Sequence, residues 1–264
     1  LFIINANDYT GGTLVNNGAT LSLGNGTGIK GSVTGTVTVS PSGTLNYSSL
    51  SASASGTINI QNTLAGSGTV NFNDAAGATY ATGLGLISSN FTGTINIQGF
   101  TRLHASDNNA GYAFGNGSTV NVPANTQAWL DRSGTAYNNT FNIAGNGWIG
   151  VTIPTGAISI FGCTVSGPVN LLADSRIGGT INGGTIVGQI AGAFQLEVYG
   201  NVNSYILSLG PTNGPNTYGS TLVTSGAIRA LNSGGISPGA LTVDLNGEVN
   251  VFGNNVTVAS LNNG

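Results

Sequence analysis

Charged residues are scarce in this chain, and their scarcity excludes several kinds of partner. Only 5% of the 264 residues are Asp, Glu, Lys or Arg, against about 25% in an average globular domain. Five basic and eight acidic residues leave a formal net charge of −3, so the sequence offers no basic patch for a nucleic-acid backbone. Disordered chains usually combine high charge with few apolar residues. Because 39% of this chain is hydrophobic, we expect an ordered fold with a core.

Cysteine and histidine are also nearly absent. Cys163 is the only cysteine, so the chain cannot form an internal disulfide, and the apolar strand around this residue predicts a buried thiol. His104 is the only histidine and has no cysteine companion, so we expect no metal site and no cofactor. No apolar run is long enough to cross a bilayer. These absences leave an ordered, charge-poor, turn-rich β protein as the simplest interpretation.

Glycine is abundant, with 44 residues, and it separates short alternating segments. Four such segments share the pattern small–Thr–apolar–Asn–apolar, which predicts strands with one apolar and one polar face. They start at evenly spaced positions along the chain: Gly43-Thr44-Leu45-Asn46-Tyr47, Gly68-Thr69-Val70-Asn71-Phe72, Gly93-Thr94-Ile95-Asn96-Ile97 and Ser118-Thr119-Val120-Asn121-Val122.

A fixed interval in the range of about 20–50 residues predicts a stacked-repeat fold in which each interval is one coil. Equivalent residues of successive coils then lie above one another at about 4.8 Å. The predicted ladders are an apolar one of Leu45, Val70, Ile95 and Val120, a second apolar one of Tyr47, Phe72, Ile97 and Val122, and a polar one of Asn46, Asn71, Asn96 and Asn121. The alternative is four unrelated strands of a β-sandwich that share a composition.

The rest of the chain continues in the same style. Beyond Pro123 the interval loosens, which indicates turns of unequal length between coils of roughly 20–25 residues. No helix is evident. We therefore predict an all-β fold, a parallel β-helix (β-solenoid), with residues 1–264 as a single segment excerpted from a longer repetitive protein.

Two segments share a second motif, Asn-x-Tyr followed by a Gly turn, Thr-Leu-Val and Gly-Ala. They cover residues 7–21 and 216–228. This motif resembles the autotransporter-associated β-strand repeat. The resemblance implies a right-handed parallel β-helix in a large bacterial surface or secreted protein, and therefore an extracellular location.

Enzymes that cleave polysaccharides also use parallel β-helices, and their chemistry needs clustered carboxylates. The acidic residues are thinly spread here, and the best cluster combines Arg102, His104, Asp107, Asp131 and Arg132. Asp107 and Arg132 are separated by the same interval as the repeated strands, so they are expected to pair across adjacent coils. A second pair of carboxylates is missing, and we expect the chain not to be an enzyme. A polysaccharide lyase or glycosidase ranks third among the functional hypotheses.

Aromatic residues near this cluster offer a different hypothesis. Exposed aromatic rings stack on sugar rings, and the candidates for glycan contact are Tyr112, Trp129, Tyr137 and Trp148. The competing interpretation places Trp129 and Trp148 inside the fold or beneath a loop. We expect a stiff structural rod whose partners are neighbouring repeats or copies of itself, with a glycan-binding adhesin as the alternative.

Overall fold

The structure is a computed structural model that describes residues 1–8, 11–25, 31–48, 58–60, 62–74, 82–84, 88–105, 112–150, 155–179, 182–201 and 204–264. Within these ranges the chain forms strands and no helix. The strands are β1 (Phe2–Ile3), β2 (Thr13–Val15), β3 (Thr20–Leu23), β4 (Thr36–Val39), β5 (Thr44–Ser48), β6 (Ile58–Ile60), β7 (Thr63–Gly66), β8 (Thr69–Asp74), β9 (Thr82–Leu84), β10 (Asn90–Phe91), β11 (Thr94–Gly99), β12 (Arg102–Ala105), β13 (Thr119–Val122), β14 (Gln127–Leu130), β15 (Ala136–Tyr137), β16 (Thr140–Gly145), β17 (Ile158–Ile160), β18 (Thr164–Val165), β19 (Val169–Gly179), β20 (Gly184–Ile186), β21 (Ile190–Ala191), β22 (Gln195–Gly200), β23 (Ile206–Leu209), β24 (Ser220–Ala230), β25 (Ala240–Asn250) and β26 (Ser260–Asn263).

These strands stack in three parallel columns, one on each side of a solenoid. The first column contains β1, β3, β5, β8, β11, β13, β16, the start of β19, and β21. The second contains β6, β9, β12, β14, β17, the end of β19, β22, the starts of β24 and β25, and β26. The third contains β2, β4, β7 and β10 and, further along, β15, β18, β20, β23 and the ends of β24 and β25. The prediction of a parallel β-solenoid is confirmed, and the sandwich alternative is excluded because all the described pairings are parallel.

Successive pairings in the first column trace nine turns between Phe2 and Thr217. The interval is 25 residues at each step between Asn46 and Asn121, as the sequence predicts. Elsewhere it varies, being 24 from Ser22 to Asn46, 21 from Asn121 to Asn142 and 28 from Asn142 to Asn170. The residues in register along this path are Phe2, Ser22, Asn46, Asn71, Asn96, Asn121, Asn142, Asn170, Ala191 and Thr217.

The interior consists of apolar ladders, because alternate residues of each strand face inward. The predicted ladder that begins at Leu45 is fully buried, and so is Phe72 in the next one. Tyr47 stacks on Phe72 with ring centroids 5.0 Å apart and an interplanar angle of 2°. Burial of each large side chain contributes about 1.5–3 kcal/mol, so stability is distributed along the whole length of the solenoid.

An asparagine ladder runs along the outer face of the first column. The Nδ2 group of each asparagine donates to Oδ1 of the one before it at 2.7–2.8 Å, and that of Asn46 donates to Ser22 Oγ at 3.1 Å. The predicted polar ladder is thus confirmed, and it extends beyond the sequence pattern to Asn142 and Asn170. All six amides are half-buried.

The corners between columns are closed by buried polar side chains. Asn139 donates from Nδ2 to the carbonyls of Phe114 and Gly115 and to Ser118 Oγ. Ser118 stands where the earlier coils have glycine, and at Gly93 an added Cβ would lie 2.0 Å from the Gly68 carbonyl oxygen. The glycine positions therefore mark close contacts between coils, and the fourth coil has changed its corner to admit a hydroxyl.

Candidate functional site

Three members of the charged cluster predicted from the sequence, Arg102, His104 and Asp131, lie on the outer face of the second column. β12 and β14 are adjacent, with Arg102 in register with Gln127 and His104 in register with Trp129. The alternate residues of β12, Leu103 and Ala105, are buried, which places the polar side chains outside. Gln127, Trp129 and Trp148 lie against these three residues, and the six residues together are named here the Arg102 cluster.

Trp129 is the centre of the Arg102 cluster. The His104 ring stacks on it with centroids 3.8 Å apart and an interplanar angle of 15°. The Arg102 guanidinium carbon lies 3.8 Å from a Trp129 ring centroid and 5.3 Å from that of Trp148. A cation over an indole contributes about 0.5–2 kcal/mol, with the larger values at desolvated sites. The ring of one coil is therefore held by side chains of the preceding coil.

Gln127 links three levels of the solenoid. Its Oε1 accepts a 2.8 Å hydrogen bond from Arg102 Nε in the coil before it. Its Nε2 donates to Thr155 Oγ1 at 3.0 Å and to the Gly156 carbonyl at 2.6 Å in the coil after it. Burial lowers the pKa of Arg102 to about 10, and the nearby Asp131 carboxylate partly offsets this shift. Arg102 is thus a half-buried cation that joins one coil to the next.

Asp131 is engaged by His104, whose Nε2 donates to Asp131 Oδ2 at 2.9 Å. Asp107, and with it the predicted Asp107–Arg132 pair, lies outside the described residues. In the described part of the cluster Asp131 is the single carboxylate, whereas glycoside hydrolysis generally requires two across the scissile bond. The geometry described here is that of a contact between coils and not of a paired-carboxylate site.

The four aromatic candidates do not form one surface. Tyr112 and Trp129 are half-buried, while Tyr137 and Trp148 are 1% and 2% exposed. Tyr137 packs edge-to-face against Phe114 in the core. Tyr137 and Trp148 therefore present no ring face to solvent. The burial of Trp148 agrees with the competing interpretation, in which this residue packs inside the fold or beneath a loop. Of the four, the structure brings together only Trp129 and Trp148, which both lie near the Arg102 guanidinium.

A second cluster on the same column has no signal in the sequence. Arg176 donates from Nη2 to Glu197 Oε1 at 2.9 Å, and its guanidinium carbon lies 4.8 Å from the Tyr199 ring centroid. Thr224 Oγ1 donates to the same Glu197 oxygen at 2.7 Å. These residues meet across intervals of 21 and 27 residues, which the regular repeat does not predict. Here, too, charge joins one coil to the next.

Cys163 is buried, as predicted, and its Sγ lies 3.6 Å from the Leu130 carbonyl oxygen. Burial raises the pKa of this thiol to about 11, an effect partly opposed by hydrogen bonds from nearby backbone groups. A nucleophilic cysteine needs the opposite shift, because the thiolate is the reactive form. The thiol therefore belongs to the packing of the core.

The described residues contain no group of three His, Cys, Asp or Glu side chains placed to hold a metal ion. In the same part of the chain there is no helix with the length and apolar character needed to cross a membrane. Comparison of the chain with protein-family models, with curated proteins and with solved structures finds no match.

Proposed function

We propose that this chain is a structural segment of a large bacterial surface or secreted protein, a stiff, charge-poor rod that serves display, adhesion or assembly and not catalysis. The observation that carries the proposal is the continuous interior. Buried apolar residues follow one another from Val15 to Leu241 along the described coils. In a solenoid of this kind each coil is stabilised mainly by its neighbours, so the whole length resists bending and local unfolding.

The placement of charge supports the same role. Three arginines each lie over an aromatic ring: Arg102 over Trp129, Arg176 over Tyr199 and Arg229 over Phe252. The rings belong to other coils than their arginines. Charged side chains thus join adjacent coils, and such contacts support a structural role for the few charges in the chain.

In the second copy of the repeat motif, residues 216–228, the Asn and Tyr side chains make contacts that stabilise the fold. Asn216 accepts from the Ile190 backbone N–H and donates to the Gly235 carbonyl, which links three coils at a corner. Tyr218 is buried, and its hydroxyl accepts from Thr221 Oγ1 at 3.1 Å. Tyr9 of the first copy lies outside the described residues. A motif that closes corners supports a repeat whose purpose is stacking, as its resemblance to the autotransporter-associated repeat implies.

The two faces at the ends of the solenoid support self-assembly or contact with neighbouring repeats. Leu245 and Leu261 are 94% and 70% exposed at one end, around an open cavity of about 800 Å³. Leu1 and Phe2 are exposed at the other. Unpaired strand edges beside apolar side chains favour pairing with a further parallel coil. We propose that these faces contact neighbouring repeats or copies of the chain.

The test combines assembly with activity on polysaccharides. The purified chain is centrifuged at rising concentration and viewed by negative-stain electron microscopy, and it is incubated with a panel of polysaccharides while reducing ends are measured. Rods of uniform width that lengthen by end-to-end association, with no release of sugar, support the proposal. Release of reducing ends from any polymer would overturn it and direct attention to the Arg102 cluster.

A further inference from the structure

A shallow groove runs beside the asparagine ladder on the outer face of the first column. Its volume is about 260 Å³, and the amide residues Asn96, Asn121 and Asn142 line one side. Gln98, Pro123 and Leu172 line the other. The groove therefore extends over several coils and follows the solenoid axis.

The amides of the ladder retain hydrogen-bonding capacity. Each Nδ2 carries two hydrogens, and one of them is used in the ladder; each Oδ1 has two lone pairs, and one of them is used. One donor and one acceptor therefore remain on each internal amide, and they recur about every 4.8 Å along the axis. Because these amides are half-buried and held in place by their neighbours, they need little reorganisation to bind a ligand.

The other side of the groove is apolar or uncharged. Leu172 is 59% exposed, and Pro123, two coils before it in the same row, is exposed as well. None of the nine residues that line the groove is charged. Concave surfaces that combine apolar contacts with a few fixed polar groups are the usual form of a binding site for a neutral ligand.

The strands beneath the groove narrow the choice of ligand. β11 pairs with β8 and β13, and β13 pairs with β11 and β16. A peptide that binds by strand addition needs an open sheet edge, and this face has none. A nucleic acid or an acidic polymer needs cations, and the groove has none.

We propose that this groove binds an extended, uncharged polysaccharide lying along the solenoid axis. Sugar hydroxyls both donate and accept, so they suit amides that offer one donor and one acceptor per coil. The carbon–hydrogen faces of the sugar rings pack on Leu172 and Pro123. This site is separate from the aromatic candidates, and it goes beyond the proposed structural role because a rod needs no such groove.

Retention on insoluble polysaccharides tests the inference. The wild-type chain is passed over cellulose, chitin and a neutral β-1,3-glucan, with polygalacturonate as the charged comparison, at low and high salt. We expect retention on at least one neutral polymer that salt does not reduce. Leu172→Asp places a charge in the groove and should weaken retention about tenfold, the equivalent of about 1.4 kcal/mol.

Leu231→Asp is the matched control, because Leu231 is an exposed leucine, at 39%, that does not line the groove. It should retain wild-type binding. Asn121→Ala, with its unfolding curve measured alongside, should also weaken retention. The inference is overturned if no neutral polymer retains the chain, if salt abolishes retention, or if the two leucine variants behave alike. It is equally overturned if Leu172→Asp instead abolishes self-association of a chain that no polymer retains, since the face would then be an interface between copies.

Discussion

Two regions of this solenoid reach the same stacking by different means. In the regular region, from Asn46 to Asn121, each coil takes 25 residues. In the irregular region, beyond Asn121, coil length varies, and the first two coils, to Asn170, take 21 and 28. The three columns continue through both regions. The pairing of strand residues therefore sets the register, and the corners take up differences in length.

The two regions also differ in how the strands meet the corners. The regular region has short strands of four to six residues in the first column, such as β8, β11 and β13. The irregular region has β19, β24 and β25, each of 11 residues. Register shifts accompany these long strands, as between Val198 and Tyr199. Bulges of this kind bend a strand, so one strand can serve two columns.

Substitution of a core residue should cause the largest loss of stability in either region. Phe72→Ala in the regular region removes a fully buried ring stacked on Tyr47, and we expect a loss of about 3–5 kcal/mol in the free energy of unfolding. Leu207→Ala in the irregular region should cost about 2–5 kcal/mol. Urea unfolding measures both, with outward-facing Thr94→Ala as the control. A loss below that of the control in either region would contradict a continuous core.

The asparagine ladder gives a smaller, position-dependent effect. Asn96→Ala breaks two ladder hydrogen bonds, while Asn170→Ala at the end of the ladder breaks one. At about 0.5–1.5 kcal/mol for each bond, the internal variant should lose about twice as much stability as the terminal one. The same denaturation curves provide the measurement, and equal losses would show that the ladder bonds add nothing beyond local packing.

In the Arg102 cluster, Arg102→Lys should lower the free energy of unfolding by about 1 kcal/mol. The lysine keeps the charge but loses the planar stacking on Trp129 and the hydrogen bond to Gln127. Arg102→Lys is therefore expected to lower stability and to alter the fluorescence of Trp129. Arg132→Lys is the control on the neighbouring coil. If the tryptophan fluorescence of Arg102→Lys equals that of the wild type, the claim that Arg102 stacks on Trp129 is contradicted.

Substitution of Cys163 should have the smallest effect on stability at neutral pH. Burial raises the pKa of its thiol to about 11 from an ordinary value of 9.0, so the native state favours the protonated form. Stability from this group is fully present below pH 9 and is lost as the pH rises from about 9 to about 11. Cys163→Ala should lessen the fall in stability over that window. Unfolding midpoints at pH 8 and pH 10.5, for the variant and the wild type, give the answer, and equal falls would contradict the assignment.

The sequence predicted the fold class and the ladders because the regular coils repeat the same residue types at one interval. Leu45 and its equivalents could be placed inside, and Asn46 and its equivalents in register, from spacing alone. The interval of the regular coils also places His104 beside Trp129, but this contact was not among the predictions from the sequence. The His104–Asp131 hydrogen bond crosses 27 residues, and no fixed interval predicts it.

Burial of the aromatic candidates was beyond sequence reasoning. Tyr137 and Trp148 are of the same residue types as exposed sugar-binding aromatics, and only the path of the chain places Tyr137 in the core and buries Trp148 beside Arg102. The Arg176–Glu197 pair depends on a coil of 21 residues, whose length is set by a turn and not by a repeated motif. Predictions from periodicity therefore hold for strands and fail where corners differ in length.

The most direct test of the account is which residues meet across coils after the regular interval ends. The structure pairs Thr119 with Thr140, whereas an unbroken interval would pair Thr119 with Ala144. In a Cys163→Ala background, Thr119→Cys with Thr140→Cys should form a disulfide on oxidation, because parallel partners lie about 4.8 Å apart and disulfides span about 4.4–6.8 Å between Cα atoms. The pair Thr94→Cys and Thr119→Cys, in register within the regular region, is the positive control. A disulfide in Thr119→Cys with Ala144→Cys, and none in the 119–140 pair, would contradict the claim that pairing sets the register of this solenoid.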